Sequence, residues 1–419
     1  FVDNSAGVNC CGVAVNVKIL LNPLMARGGL RRKERDRLLE SMTGEVAGLV
    51  LRNNYLQCLA ISALHETASE RIFELGHVLR SLERAGTLDR ALESLPTDDE
   101  ILERHRKGQR LTRPELAMLL SYSKIWLSGR LINTDVAEDP YLGAEIMRYF
   151  PTPVQRRYPR EIQKHQLRRE IIVTAITNSL INRMGPGFAL RTQEDTGADV
   201  GSIARAYAIA REVTDMRDLW ADIEALDDKA PAALQYAMSH ETMRLLRRLT
   251  YWVLRTLGTN LDIERAVNRL RPGIRELMAA LPELIEGIEL ERYEKGLARF
   301  TAPGVPAGVA RRVASLGAFH SSVDIVEVAL ARRATVAQAA RVYFGLGAVI
   351  GLDWIRGEIE RLPVEGHWQA LARGTMREQA YLLQRRLADQ VLAGRGAGDV
   401  TKRIDAWLAK SGAAHENVS

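Results

Sequence analysis

From Asn22-Pro23 to about residue 410 the sequence keeps a helical hydrophobic period almost without a break. That pattern limits the fold more than any short motif does, because it leaves little room for strands. In Thr43 to Leu64, the residues Val46, Leu49, Val50, Leu56, Leu59 and Ala63 recur at three- and four-residue steps. The pattern continues through Glu66 to Arg84 and stops at Gly86. Thr97-Asp98-Asp99-Glu100 and Thr112-Arg113-Pro114-Glu115 read as capping boxes, in which a hydroxyl and a carboxylate satisfy each other's free N–H groups at a helix start. Arg160 to Met184 is expected to be the longest uninterrupted helix, ended by Gly185-Pro186-Gly187. Separate helices are expected over residues 231–257, 263–270, 274–281, 285–300, 367–392 and 400–410. No repeat recurs at a fixed period, which argues against a regular solenoid.

The first residues read differently. Phe1-Val2 fits the end of a buried strand, Asn4 to Gly7 a tight polar turn, and Val13 to Leu21 a short helix. Such a turn places backbone N–H groups and an Asn amide at a helix N-terminus, which suits an anion or a polar cofactor edge. The expected fold is therefore mainly α, with a short α/β remnant at the N-terminus followed by a large helical region. Three segments are expected: residues 1–25, a helical region I over 26–190, and a helical region II over 191–419, divided at the polar, Gly-containing stretch Arg191 to Gly201.

The chain has 419 residues, 46% hydrophobic and 26% charged, as in a soluble globular protein with two or three domains. It begins at Phe1 and is expected to be part of a longer protein. The net charge of +6 comes with Arg and Glu interleaved through nearly every helix, so solvated faces explain it and no nucleic-acid partner is expected. The one dense basic cluster, Arg27 to Arg37, lies in no nucleic-acid-binding motif; if it binds nucleic acid, affinity must fall steeply with salt. Cys10, Cys11 and Cys58 make neither a disulfide framework nor a metal-ligand pattern, which fits a reducing cytoplasm. No apolar run is long enough to cross a bilayer, and no signal peptide is present, so no membrane partner is expected.

Few residues suggest chemistry by themselves. His65-Glu66-Thr67-Ala68-Ser69 lacks the second His that a zinc-protease helix needs, and reads as ordinary surface helix. Gly345-Leu346-Gly347-Ala348-Val349-Ile350-Gly351 lies in a helical region without a preceding strand, so close helix packing or a helix break is expected there, not a phosphate cradle. Asn178 and Asn182 share a helix face, with Arg183 beside them, and suit a polar site, a subunit contact or helix-end hydrogen bonding. Asn53-Asn54-Tyr55 suits a helix-to-helix hydrogen bond. His165, His240, His320 and His367 stand singly and carry no ligand pattern.

Four stretches together are far more specific. They are Phe1-Val2-Asp3-Asn4-Ser5-Ala6-Gly7-Val8, Leu51-Arg52-Asn53-Asn54-Tyr55-Leu56-Gln57, Glu115-Leu116-Ala117-Met118-Leu119-Leu120-Ser121-Tyr122-Ser123-Lys124, and Asn178-Ser179-Leu180-Ile181-Asn182-Arg183-Met184-Gly185. In that order they resemble the C-terminal part of the large bacterial NAD-specific glutamate dehydrogenases. The resemblance covers residues 1 to about 190 closely and the later helices more loosely.

The resemblance implies that residues 1–25 end a Rossmann-type dinucleotide-binding catalytic domain. It implies an oxidoreductase that converts L-glutamate, NAD+ and water to 2-oxoglutarate, ammonia and NADH, as a cytoplasmic homo-oligomer. Asn4, Ser5 and Gly7 would line the cofactor–substrate cleft, with no catalytic residue and no metal site in this chain. The Lys-bearing substrate domain and the strand–GxGxxG–helix unit of such enzymes are missing here, so the isolated chain is expected to be inactive and structural or regulatory. One departure stands out. Where the family continues Ser-Asp-His-Glu-Val-Asn, this chain reads Cys11-Gly12-Val13-Ala14-Val15-Asn16, which puts substrate contact at residues 11–14 in doubt. The alternative reading is a non-catalytic helical scaffold or interaction module.

Overall fold

The computed structural model describes the backbone of residues 2–363, 367–394 and 400–416, and the side chains of residues 12–363, 369, 371–394 and 400–410. The described residues are mainly helical and include no strand. In chain order the first helices are α1 (Val2–Ala26), α2 (Arg32–Ser41), α3 (Thr43–Thr67), α4 (Ile72–Arg84), α5 (Asp98–Arg106), α6 (Arg113–Leu131), α7 (Pro140–Gly143) and α8 (Glu145–Tyr149). They are followed by α9 (Thr152–Arg157), α10 (Pro159–Gln163), α11 (Arg168–Met184), α12 (Phe188–Thr196), α13 (Val200–Val213), α14 (Met216–Glu224), α15 (Ala232–Thr256) and α16 (Ile263–Leu284). The last are α17 (Gly287–Phe300), α18 (Ala307–Ser315), a 3-10 turn (Ala318–Ser321), α19 (Ser322–Arg332), α20 (Val336–Val349), α21 (Leu352–Arg361), α22 (His367–Ala393) and α23 (Val400–Glu416). No single described helix is long and apolar enough to cross a membrane.

The expected α/β remnant does not occur among the described residues. Val2 onward is helical, through the stretch expected to turn at Asn4 to Gly7 and past Pro23. A helix satisfies its own backbone, whereas a strand needs a neighbour to ladder with, and the described residues supply none. Val13, Val17, Leu20 and Leu21 hold one buried stripe on α1, at the spacing that fixes a helix.

Both capping boxes form as expected. The hydroxyls of Thr97 and Thr112 accept from the N–H of Glu100 and Glu115, and each Glu carboxylate accepts from its Thr N–H at 2.7 Å. The helix expected over Arg160 to Met184 is instead divided into α10 and α11. Between them His165 Nδ1 accepts from Leu167 N–H at 3.0 Å, so Nε2 carries the hydrogen and donates to the Asn16 carbonyl at 3.0 Å. A side chain that takes over backbone hydrogen bonds in this way ends a helix despite apolar period on both sides. The reverse happens in α16, where helices expected over 263–270 and 274–281 are one. Leu270, Ile274, Leu277 and Leu281 stay in one buried phase across Pro272, and their packing on α19 and α20 outweighs one missing hydrogen bond.

The chain divides into two compact units. The first comprises residues Phe1–Ala208 and Leu254–Leu261. Within it α1 packs on α3, α3 packs on α6 and α11, and α6 packs on α11 and α4. Its core joins Val17 and Leu21 to Leu116, Leu119 and Leu127 and to Ile172, Leu180 and Ile181, all buried. Each such side chain contributes about 1.5–3 kcal/mol relative to exposure.

The second unit comprises Ile209–Val253 and Asp262–Ser419. Its helix α20 packs on α16, α19, α22 and α23. The glycine run there has the two structural roles expected of it. A Cβ at Gly347 would meet Gln384 Nε2 of α22 and lie 2.9 Å from Asp353 Oδ1 of α21, so glycine is what lets those polar groups approach the helix. Gly351, at φ +72°, takes the left-handed conformation that separates α20 from α21. Through this unit runs a buried ionic network. Arg248 pairs with Asp324 and Glu378, and Arg356 with Asp353 and Glu289. Both guanidinium groups lie over the Tyr381 ring, 4.3 and 4.8 Å from its centroid.

Candidate functional site

The residues expected to bind cofactor, Asn4, Ser5 and Gly7, fall in the first turns of α1, where side chains lie outside the described residues. Cys10, Cys11 and His367 lie outside them too. From Gly12 onward α1 can be followed. Asn16 is buried, and its Nδ2 donates to Tyr149 Oη at 2.7 Å. One turn earlier, a Cβ at Gly12 would stand 3.3 Å from the same hydroxyl. Gly12 and Asn16 thus share a face turned to Tyr149, whose hydroxyl burial holds above its usual pKa. The departure from the family pattern at residues 11–14 therefore falls on an intramolecular contact for at least one position. An acidic side chain at position 12 would meet Tyr149.

The three later stretches that carry the resemblance come together in one place, the junction of α3, α6 and α11. Two sets of hydrogen bonds anchor it. Arg113 at the start of α6 donates to Ser62 Oγ near the end of α3 at 2.8 Å. Arg169 at the start of α11 donates to the Ile132 carbonyl at 2.7 Å and to the Thr134 carbonyl, just past the end of α6. These anchors set α6 antiparallel to both neighbours. Counting from them at about 1.5 Å per residue brings Asn54 and Asn182 to the level of Ser121, and Asn178 to the level of Lys124.

Polar groups at this junction are poorly satisfied. The amide oxygens of Asn54 and Asn182 and the hydroxyl of Thr177 are buried without a hydrogen-bond partner. Lys124 has no ion-pair partner among the described residues, and burial alone pushes its ammonium down to about 8. The helix-to-helix bond expected of Asn54 is therefore not made by its amide oxygen. Tyr55 lies instead under the Arg52 guanidinium, 5.8 Å from its ring centroid. Lys124 escaped the sequence reading although its stretch was singled out. The available signal was its place between Leu120 and Leu127 on an apolar face, where a solvated lysine does not belong.

A second polar feature of the same unit is a cleft of about 560 Å³ between the α6–α7 connection, α13 and residues 259–261. Arg205 lies on it and bonds Asp135 at 2.8 Å and Asp139 at 3.0 Å. The hydrogen bond from Arg205 holds the Asp135 carboxyl below the usual range. Asp139 caps α7 by accepting from Tyr141 and Leu142 N–H. Asp199 accepts from Gly201 N–H, Ser202 N–H and Ser202 Oγ, which hold its carboxyl low against the opposing effect of burial. Asp139 and Asp199 are thus engaged in holding the backbone. His65 sits in the last turn of α3, where burial, then Arg110 and Arg113, lower its pKa. Among the described residues no three His, Cys, Asp or Glu side chains are grouped to hold a metal ion.

The family model described as glutamate dehydrogenase, C-terminal, matches residues 108–419. The model of the bacterial NAD-glutamate dehydrogenase catalytic domain matches residues 1–64, which hold α1, α2 and most of α3. The chain is similar to the NAD-specific glutamate dehydrogenase of Halomonas elongata, with 37% identity over 99% of this chain and 26% of that protein. It is also similar to those of Pseudomonas aeruginosa, at 39% identity over 97% of this chain and 25% of that protein, and Mycobacterium tuberculosis, at 32% over 97% and 25%. It spans about a quarter of the length of these curated relatives. The junction of α3 with α6 and α11 is thus where the catalytic-domain match meets the C-terminal match, and the chain belongs to the family of large bacterial NAD-specific glutamate dehydrogenases.

Proposed function

We propose that this chain forms the C-terminal part of an NAD-dependent glutamate dehydrogenase, which oxidises L-glutamate to 2-oxoglutarate and ammonia and reduces NAD+. The observation that carries the reading is the packing of α3, from the catalytic-domain match, on α6 and α11, from the C-terminal match. A helical region joined to the catalytic domain in this way braces the catalytic cleft. Asn4, Ser5 and Gly7 line the cofactor–substrate side of that cleft, and the parent works as a cytoplasmic homo-oligomer.

A dinucleotide's phosphates are seated by a strand–glycine turn–helix unit, which this reading assigns to the preceding part of the parent. On this reading Asn4, Ser5 and Gly7 complete a cleft whose phosphate-binding part lies in the rest of the parent, and the chain by itself is inactive. The test is glutamate-dependent NADH formation by the purified 419-residue chain, alone and co-expressed with the preceding three-quarters of a relative. No turnover alone and turnover on co-expression are expected. Turnover by the chain alone would overturn the division of labour, and failure of the two parts to associate would overturn the bracing role.

A further inference from the structure

Two packed helices of the first unit turn uncharged rows outward. On α3, Gly44, Gly48, Leu51, Tyr55 and Cys58 recur at three- and four-residue steps and so share one face. Four of the five are exposed, Leu51 at 67%, and Tyr55 is half-buried. On α6, Ala117, Ser121 and Ile125 form a similar row, with Ile125 56% exposed. Ser62 continues the α3 row and accepts from Arg113 at the start of α6, so the row borders that helix. The same bond sets the register. It brings Leu51 level with Ile125 to within about one residue and Cys58 level with Ala117, so the rows run together for about 10 Å.

A single exposed leucine needs no explanation. A solvated helix face, however, carries charges, and neither row has one. The glycines make the same point independently. Gly48 lies inside α3, where glycine costs about 1 kcal/mol relative to alanine. A Cβ at Gly44 or Gly48 would meet nothing within 4 Å, and neither residue has a positive φ. Nothing in the described fold therefore requires glycine at either position. Two glycines four residues apart on an outer helix face let another backbone come close. The whole α3 row lies within residues 1–64, the stretch that matches the catalytic-domain model and forms α1, α2 and most of α3. Those helices are a small piece of a domain in relatives of which this chain spans about a quarter.

We propose that the paired rows of α3 and α6, centred on Gly48, Leu51 and Ile125, are the face on which the preceding part of the catalytic domain docks. Leu51 and Ile125 enter its apolar surface, and Gly44 and Gly48 admit one of its backbone segments against α3. The assignment rests on the reading of this chain as the C-terminal part of a glutamate dehydrogenase. It adds to that reading the side of the molecule that meets the rest of the parent.

The test co-expresses the whole 419-residue chain with the preceding three-quarters of a relative. Association is measured by co-purification, and the exposed Cys58 thiol is labelled with a maleimide and located by peptide mass mapping. In the wild-type pair Cys58 is expected to be protected, whereas in the chain alone it is labelled. Leu51→Glu and Gly48→Leu change side chains that face open space, so the chain alone keeps its circular dichroism and unfolding midpoint. Each is expected to weaken association about tenfold or more, by placing a charge or extra bulk in an apolar contact. Trp354→Glu on α21, at a residue 60% exposed in the second unit, is expected to leave association unchanged. Association at wild-type strength in both row variants, an equal loss in Trp354→Glu, or full labelling of Cys58 in the pair would overturn the face and leave the family reading standing. Protection of Cys58 in the chain alone, rising with its concentration, would make a second copy the occupant and overturn the assignment. Wild-type parts that do not associate at all would overturn the bracing role and the docking face with it.

Discussion

Lys124, half-buried, and Arg248, buried, are both desolvated cations on long helices, and the two units treat them in opposite ways. Arg248 in the second unit is enclosed by Asp324 and Glu378 and stacked on Tyr381. Lys124 in the first unit has no carboxylate partner among the described residues, and Asn54 and Asn182, brought to the same junction by the helix register, keep unpaired amide oxygens. A charge that is neutralised inside a core fixes the register of the helices around it. A charge that is desolvated and left unpaired weakens the fold, and such groups cluster at functional sites. The contrast is one of charge: that of Arg248 is paired within its unit, and that of Lys124 has no ion-pair partner among the described residues.

The largest expected effect comes from breaking the neutralised set. Arg248→Met leaves two carboxylates without their main counter-charge, although Arg385 remains 3.6 Å from Asp324. The loss is expected to be about 3–5 kcal/mol, read from urea unfolding. Adding Asp324→Asn to the same chain should cost less than the sum of the single changes, because the second change removes the charge that the first left unpaired. An additive result would mean that the pair is not coupled.

Lys124→Met tests the other side and carries the opposite sign. The displacement of the ammonium from 10.5 to about 8 corresponds to about 3 kcal/mol of destabilisation at neutral pH. The unfolded chain binds this proton up to about pH 10.4 and the folded chain only up to about 8. Within that window the unfolded state holds more protons, so the wild type gains stability as pH rises. Below pH 8 the full penalty is present. Lys124→Met should therefore be more stable than wild type at pH 7, with the advantage shrinking between pH 8 and 10. A variant less stable than wild type at pH 7 would mean that Lys124 is paired after all. Gly347→Ala comes next, at about 2 kcal/mol of destabilisation, because its Cβ displaces Gln384 and Asp353 from around Arg356.

The sequence made these two regions unequally legible. Capping boxes at Thr97 and Thr112 are local, four residues each, and both were readable. The partners of Arg248 lie 76 and 130 residues away, and nothing in Arg247-Arg248-Leu249 tells which arginine turns inward. The α1 start was misread because Asn4 to Gly7 has turn composition, while the choice between strand and helix rests on whether a neighbouring strand exists. His165 ended a helix that apolar period alone would have continued, through a bond to Asn16 that lies 149 residues away. The junction of α3, α6 and α11 was visible as three stretches, since each carries the family pattern, but their meeting is a tertiary fact. Lys124 was legible only as an anomaly of helix phase.

The smallest effect gives the sharpest reading of the contrast. Asn182 is nearly isosteric with leucine, and its amide oxygen is buried without a partner. Asn182→Leu removes an unsatisfied acceptor and adds apolar contact on α11, so the isolated chain should gain about 1 kcal/mol. A purely structural junction would tolerate that change, since nothing else in the fold depends on the lost oxygen. If the junction instead offers its polar groups to the catalytic cleft of the parent, the same substitution stabilises the chain and lowers glutamate-dependent NADH formation in the co-expressed enzyme. Stability and activity moving in opposite directions would assign the unpaired groups to function. Stability rising with activity unchanged would place Lys124 and its neighbours outside the reaction and leave the junction as a brace alone.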